Sequence, residues 1–302
     1  MNKISMTALI SAFSRGYHSE HNIVKIFDDS FANQLLTEEE KETIKNQMIK
    51  GISFFNPAFR GSDEEALRWI VDCHLSPSPL GRAAFIEAVL ETAVFLGASQ
   101  YLMVASGYDS FAYRQPEWVK KVRLFEIDYP MMISDKINRI SGILERLPEN
   151  LDYVSIDLTN EKLADRLIAC ADFSNLKVSF CSLSGISYYL TKEDFKKTIN
   201  SLSEVTPAGS TIVFDYPCKE YISDERNQRQ IKMAAHAYEP MIADYSYKEM
   251  EKLLSDCGYL IYENLNCDEI TLQYFSKYND ANPKNRMTAI KGVNYCLAVR
   301  QK

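Results

Sequence analysis

The 302-residue chain contains no C-x-x-C pair and no G-x-G-x-x-G run. It has only four histidines. Its seven cysteines are odd in number and scattered, so a zinc site and a dithiol redox centre both lack support. No carboxylate–histidine pair or metal-ligand spacing stands out, and no metal is expected. Glycine (11) and proline (10) are sparse, which excludes a collagen-like or linker-dominated chain. No apolar run approaches the ~18 residues that span a bilayer. Ser5, Thr7 and Ser11 interrupt the apolar stretch from Ile4 to Phe13, which suits an amphipathic helix better than a signal peptide. Basic stripes are missing as well. The formal net charge of -7 repels nucleic-acid phosphates and anionic lipid, so neither is an expected partner. Reduced cysteines inside apolar runs such as VSFCSL point to the cytoplasm.

What is present is ordinary globular material, 46% hydrophobic and 25% charged. The length suits one large domain. Residues 1–96 read as successive helices, an N-terminal cap. Thr37 with Glu40, and Ser62 with Glu65, form capping-box patterns. The SPSP segment at 76–79 predicts a break, followed by a helix from about Gly81 to Phe95. From residue 97 the period changes. Apolar runs at 101–106, 122–128, 154–157, 178–183 and 210–216 alternate with helical segments. Strands that are apolar throughout imply a parallel sheet covered on both faces. Runs at 259–265 and 294–300 are expected to pair as an antiparallel hairpin at the sheet edge, after a helix started by Ser246 and stopped by Gly258. The expectation is a single α/β domain, a Rossmann-like doubly wound sheet, mostly parallel.

In such a sheet, ligands sit beyond the carboxyl ends of the strands. The first run ends in Ala105-Ser106-Gly107-Tyr108-Asp109, where small residues allow close backbone approach. Asp128 closes the second run 21 residues after Gly107, the separation at which a carboxylate meets a nucleotide's ribose hydroxyls. That spacing alone also admits a nicotinamide cofactor. A pyrophosphate, however, needs the close backbone donors of the missing glycines. S-adenosylmethionine carries no phosphate and needs only room for its amino-acid moiety.

The stretch GASQYLMVASGYDSFAYR (97–114), followed by LFEIDYPMMISDK (124–136), resembles the leucine carboxyl methyltransferase family, which includes bacterial natural-product O-methyltransferases. The resemblance extends through residues 6–36, 81–87, 155–158, 183–191 and 209–217. It implies S-adenosylmethionine as cofactor. Arg15 and Arg82 would hold its carboxylate, since a planar guanidinium grips a carboxylate with two bonds. Ala105 and Gly107 would pass beneath the same moiety, with Asp109 as the acid of the turn. Asp128 would take the ribose, Asp157 and Leu158 would bracket the adenine, and Ser184 would stand near the amino group and sulfonium. Ala105 stands where the family pattern has glycine, and Phe111 where its bacterial branch often has arginine. Glu126 and Lys136 read as structural supports.

The implied reaction is methyl transfer to a carboxylate or hydroxyl of a small metabolite. Tyr17, Tyr188 and Tyr189 are candidates to wall its pocket. No catalytic base is assigned: His18 and His21 could serve a hydroxyl acceptor but read as solvated surface residues. Alternatives are a protein or peptide C-terminal carboxyl methyltransferase, a nicotinamide oxidoreductase, and a non-catalytic S-adenosylmethionine-binding regulator.

Overall fold

A computed structural model describes residues 4–301, so the first three residues of the expected cap and Lys302 lie outside it. The chain begins with helices α1 (Met6–His21), α2 (Glu38–Lys50), α3 (Ile52–Phe55), α4 (Asp63–Ile70) and α5 (Pro77–Phe95). Both capping boxes are formed, at Thr37 and Ser62. The SPSP segment is not a break. After a π-helical turn at Val71–Leu75, α5 starts directly at Pro77. Proline is tolerated there because the first amides of a helix have no intrahelical partner to lose.

Strands β1 (Gln100–Val104), β2 (Arg123–Asp128), β3 (Leu151–Ser155), β4 (Ser179–Leu183) and β5 (Thr211–Pro217) alternate with α6 (Pro130–Ser141), α7 (Leu163–Ile168) and α8 (Lys192–Val205). There follow α9 (Glu225–His236), α10 (Tyr247–Asp256), β6 (Tyr259–Leu265), α11 (Cys267–Ile270), α12 (Ser276–Ala281) and β7 (Val293–Arg300). The sheet order is β3-β2-β1-β4-β5-β7-β6, parallel except where β7 runs against β5 and β6. β6 and β7 pair antiparallel at the sheet edge as expected, but through a long connection rather than a tight turn. β7 inserts beside β5, leaving β6 at the rim, and the connection carries α11 and α12.

Alternate residues of each central strand feed opposite cores. Leu102, Val104, Phe125, Cys181 and Phe214 meet α7, α8 and α10 on one face. Tyr101, Met103, Leu124, Phe180 and Val213 meet α5 and the α11–α12 region on the other. Burial on both faces is why these strands show no polar alternation. Because α5 packs against β4, β5 and β7, the expected cap boundary at residue 96 cuts off a helix that belongs to the sheet layer. A third core joins α1, α2 and α4 to the turn after β1 through Phe13, Leu35, Ile44, Leu67 and Tyr108.

Candidate functional site

The strand order reverses between β1 and β4, opening a crevice at their carboxyl ends. The turn after β1 forms its floor. Ala105 and Gly107 both take the left-handed backbone, at φ 56° and 49°. The Cβ that a side chain at Gly107 would add lies 3.5 Å from the Ala8 Cβ, so the start of α1 covers the turn directly. Asp128, at the tip of β2, accepts the Gly107 amide at 2.6 Å on one carboxylate oxygen and the Tyr129 amide at 2.6 Å on the other. Each oxygen retains lone-pair capacity for a diol. Burial pushes the Asp128 carboxyl up, against the pull of these two amides. The buried Ser106 hydroxyl in the same turn has no hydrogen-bond partner among the described residues.

Two guanidiniums close the crevice from above. Arg15 of α1 and Arg82 of α5 both donate to the Ser11 hydroxyl, at 3.0 and 3.3 Å. Arg15 also pairs with Asp29 at 2.8 Å and donates to the Tyr108 carbonyl at 2.7 Å. Asp29 is 1% exposed and accepts the Ser110 hydroxyl at 2.6 Å. Burial alone would raise its carboxyl, but Arg15 and Arg114 with the Ser110 bond hold it below the usual range. Arg114 pairs in turn with Glu87, so α1, α5 and the β1 turn form one charged lattice.

Arg82 pairs with the buried Asp215 of β5 at 3.3 Å. Asp215 also accepts the Gly185 amide at 2.7 Å and the Tyr188 hydroxyl at 3.0 Å. Gly185 sits at φ 69°, and a Cβ there would lie 2.5 Å from the Arg82 guanidinium. The positive φ favours glycine, and any Cβ there would also displace the Arg82 guanidinium.

Arg15, Arg82, Asp109 and Ser184 thus line one cavity, with Ala105, Gly107 and Asp128 in the turn and strand tip beside it. Asp109 turns back to accept the Phe111 amide at 2.7 Å. Asp157 and Leu158 follow β3 but do not line the cavity. The Asp157 carboxylate accepts the Thr159 hydroxyl at 2.6 Å and the Asn160 amide at 2.8 Å, and the Thr159 bond chiefly holds it below the ordinary carboxylate range. Leu158 packs on the core beside α7. Glu126 and Lys136 form a fully buried ion pair at 2.8 Å, as structural supports should.

Two readings need correction. Tyr17 belongs to the core of the helical cap, stacked on His21 at 3.8 Å, and does not wall the crevice. His18 is not solvated: it is 0% exposed, its Nε2 accepts the Ile26 amide at 3.0 Å, and burial holds it down to about 4. A helical period alone does not say which face of α1 is covered by α4 and the C-terminal region. The Tyr188 hydroxyl donates to Asp215 at 3.0 Å, with Tyr189 packed beside it, and neither tyrosine lines the cavity. Sequence reasoning missed Asp215, Asp29, Glu87 and Ser11. The available signals were an acid closing the apolar run STIVFDY and an acid pair in FDDS.

These groups fit S-adenosylmethionine chemically. Two convergent guanidiniums suit an α-carboxylate, the unpartnered Ser106 hydroxyl offers a polar contact, and Asp128 keeps acceptor capacity for a ribose. The enclosed volume, about 20 Å³, holds little more than one water. Over the turn itself the start of α1 lies close, with the Ala8 Cβ 3.5 Å from the position of a Gly107 Cβ.

A protein of Bacillus subtilis (strain 168), YktD, whose name places it among S-adenosyl-L-methionine-dependent methyltransferases, is 38% identical over 99% of both chains. Two solved structures share the fold with TM-scores of 0.58. They are a DUF574 family protein of Streptomyces avermitilis (16% identical, covering 96% of this chain and 97% of that one) and a protein of Thermobifida fusca described as a methyltransferase (13% identical, 99% and 96%). The sequence profile described as leucine carboxyl methyltransferase matches residues 8–203, and the chain belongs to the leucine carboxyl methyltransferase family.

Proposed function

We propose that this chain, an S-adenosylmethionine-dependent methyltransferase, methylates an oxygen of a small metabolite, a carboxylate or a hydroxyl. The observation that carries the reading is the convergence of Arg15 and Arg82 on Ser11 above the tips of β1 and β4. Arg15 and Arg82 would hold the cofactor's carboxylate, Ser184 would lie near its amino group, Asp128 would hold its ribose, and Asp157 and Leu158 would flank its base. When bound, the cofactor supplies a methyl group already activated on a sulfonium. The protein's own contribution is then alignment and the exclusion of water. Closure of α1 serves the second task, because Ala8 covers the turn at Gly107. Tyr188, oriented by Asp215, and its neighbour Tyr189 would border the acceptor. A carboxylate acceptor is ionised at neutral pH and needs no base.

Calorimetry with S-adenosylhomocysteine and NAD side by side tests the cofactor, and mass spectrometry across acids, phenols and peptides tests the acceptor. Binding of S-adenosylhomocysteine alone and a methylated small acid or phenol are expected. Asp128→Ala should weaken S-adenosylhomocysteine binding by ~1.5–3 kcal/mol, the range for hydrogen bonds to a charged group. Methylation confined to peptide C-termini would overturn the small-metabolite reading. Equal affinity in the Asp128 variant would remove that residue from the site.

A further inference from the structure

A second and far larger cavity, about 420 Å³, lies between the α3–α4 region, α9 and the 286–288 loop. It shares no lining residue with the crevice at the strand tips. Its volume is that of an ordinary small-molecule site. Phe55, Trp69 and His74 form an aromatic wall, with ring centroids 4.9 Å apart for Phe55–His74 and 5.3 Å for Trp69–His74. Arg226, Arg229 and Arg286 supply the remaining side, in a molecule whose net charge is -7.

The cationic side is built rather than incidental. The π-helical turn at Val71–Leu75 leaves the carbonyls of Cys73 and His74 to be taken by α9: Arg226 donates to the first at 2.6 Å and Gln230 to the second. Such turns occur often at functional sites. Arg226 also donates to the Thr288 carbonyl at 3.0 Å, the Thr288 hydroxyl at 3.0 Å and the Ala289 carbonyl at 3.3 Å. Neutral oxygens fix this guanidinium in place, and none of its hydrogen bonds among the described residues goes to a carboxylate. Counting its five N–H donors leaves one on Nη2 uncommitted. Among the described residues, Arg229 reaches only the exposed Glu225, at 3.4 Å. The loop bearing Arg286 is held by Asn279, which exchanges two hydrogen bonds with Met287.

Two buried polar atoms of the lining residues also lack partners among the described residues. They are Nδ1 of His74, which is 4% exposed, and Oδ1 of Asp72, which is 8% exposed. Burial, with Arg226 and Arg229 beside it, holds His74 down to about 4 and hence neutral at pH 7. Burial pushes Asp72 up to about 6, and its other oxygen faces Arg68 at 3.4 Å. Unpaired buried polar atoms are costly. Of these two, Nδ1 of His74 in its N–H tautomer can donate to a carboxylate. The Asp72 oxygen, an acceptor when ionised, opposes one and is answered, among the described residues, only by Arg68.

We propose that this pocket is a second binding site, for a flat apolar organic acid of the aryl-carboxylate class. The aromatic wall takes the body of the acid, and the arginines take its carboxylate. Calorimetry on the full chain with naphthoate, and with neutral naphthamide as control, tests the assignment. Naphthoate should bind saturably and at least about tenfold more tightly than naphthamide. Arg229→Ala with Arg286→Ala, which breaks no bond to the backbone, should lower naphthoate affinity about tenfold or more while circular dichroism stays unchanged. Arg82→Ala should leave that affinity intact, because Arg82 lines the other cavity. Absence of naphthoate binding, equal binding of the amide, or unchanged affinity in the double variant would overturn the proposal. Loss of binding in Arg82→Ala would do so too, by placing the acid in the strand-tip crevice.

Discussion

Ala105 holds a left-handed backbone, φ 56°, that an L-residue with a Cβ adopts at a cost of roughly 1–2 kcal/mol. The turn keeps it there because Ser106 donates its amide to Ile127 at 3.2 Å and Asp109 to the Ser106 carbonyl at 2.9 Å. Ala105→Gly removes the steric penalty and adds back some unfolded-chain entropy, so a net stabilisation of about 0.5–1 kcal/mol is expected. Ala105→Val should destabilise, since a β-branched side chain is worse in that region. Chemical denaturation of both variants checks this, and a glycine variant less stable than the parent would refute it. The same turn shows what single residues disclose. Gly107 and Asp128 were legible because the path from the turn after β1 to the tip of the neighbouring parallel strand β2 brings the Gly107 amide within 2.6 Å of the Asp128 carboxylate. Asp215 was not, because an acid at the end of an apolar run reads equally as the strand's exposed tip. Only the fold shows it 1% exposed and tied to Arg82, Gly185 and Tyr188.

Helix α1 covers the turn after β1, with Ala8 against Gly107. Its first turn is fastened from afar by Glu239, which accepts the Met6 amide at 2.8 Å, the Thr7 amide at 3.3 Å and the Ser5 hydroxyl at 3.0 Å. A carboxylate at a helix N-terminus satisfies orphan amides and opposes the positive end of the dipole, typically for ~0.3–1 kcal/mol. Glu239→Ala should therefore accelerate amide hydrogen exchange across the first turns of α1. Because the start of that helix covers the turn at Gly107, it should also raise the association rate of S-adenosylhomocysteine in stopped flow. Unaltered exchange in α1 would show that Glu239 does not act as a latch. Elements with strong local chemistry were readable in advance: the capping boxes at Thr37, Ser62 and Ser246 start the helices they announce, and Gly258, at φ 78°, ends α10. Helix α9 escaped notice because only Asn227 and Ala234 of its twelve residues are buried, too thin a stripe for periodicity to register.

At the scale of the molecule, the alternation of strand and helix was legible from the apolar runs, because a parallel strand covered on both faces has no polar phase. The insertion of β7 between β5 and β6 was not, since pattern reports burial and not the identity of a neighbour. Exposed Leu260 and Tyr262 on β6 are the trace of its rim position. The interior so formed also sets how the protein responds to acid. His18 and His74 are 0% and 4% exposed, and burial holds each at about 4 against an ordinary 6.5. Between those values the unfolded chain binds the protons and the folded one does not. Their contribution is therefore complete above pH 6.5 and is lost as pH falls toward 4. Asp72 works in the opposite sense: raised to about 6 from 3.8, its contribution is complete below 3.8 and is lost as pH rises through 6. Near pH 5 two histidine protons outweigh one carboxyl proton, so these three groups together favour unfolding on acidification. Each histidine accounts for about 2 kcal/mol of the loss at that pH. His18→Gln keeps an acceptor for the Ile26 amide but cannot take a proton, and it leaves Asp72 and His74 in place. Urea denaturation at pH 7 and pH 5 should show the variant losing about 2 kcal/mol less than the parent over that interval, whatever the substitution costs at pH 7. Parallel losses in the two proteins would mean that His18 is protonated in the folded state, contrary to its burial.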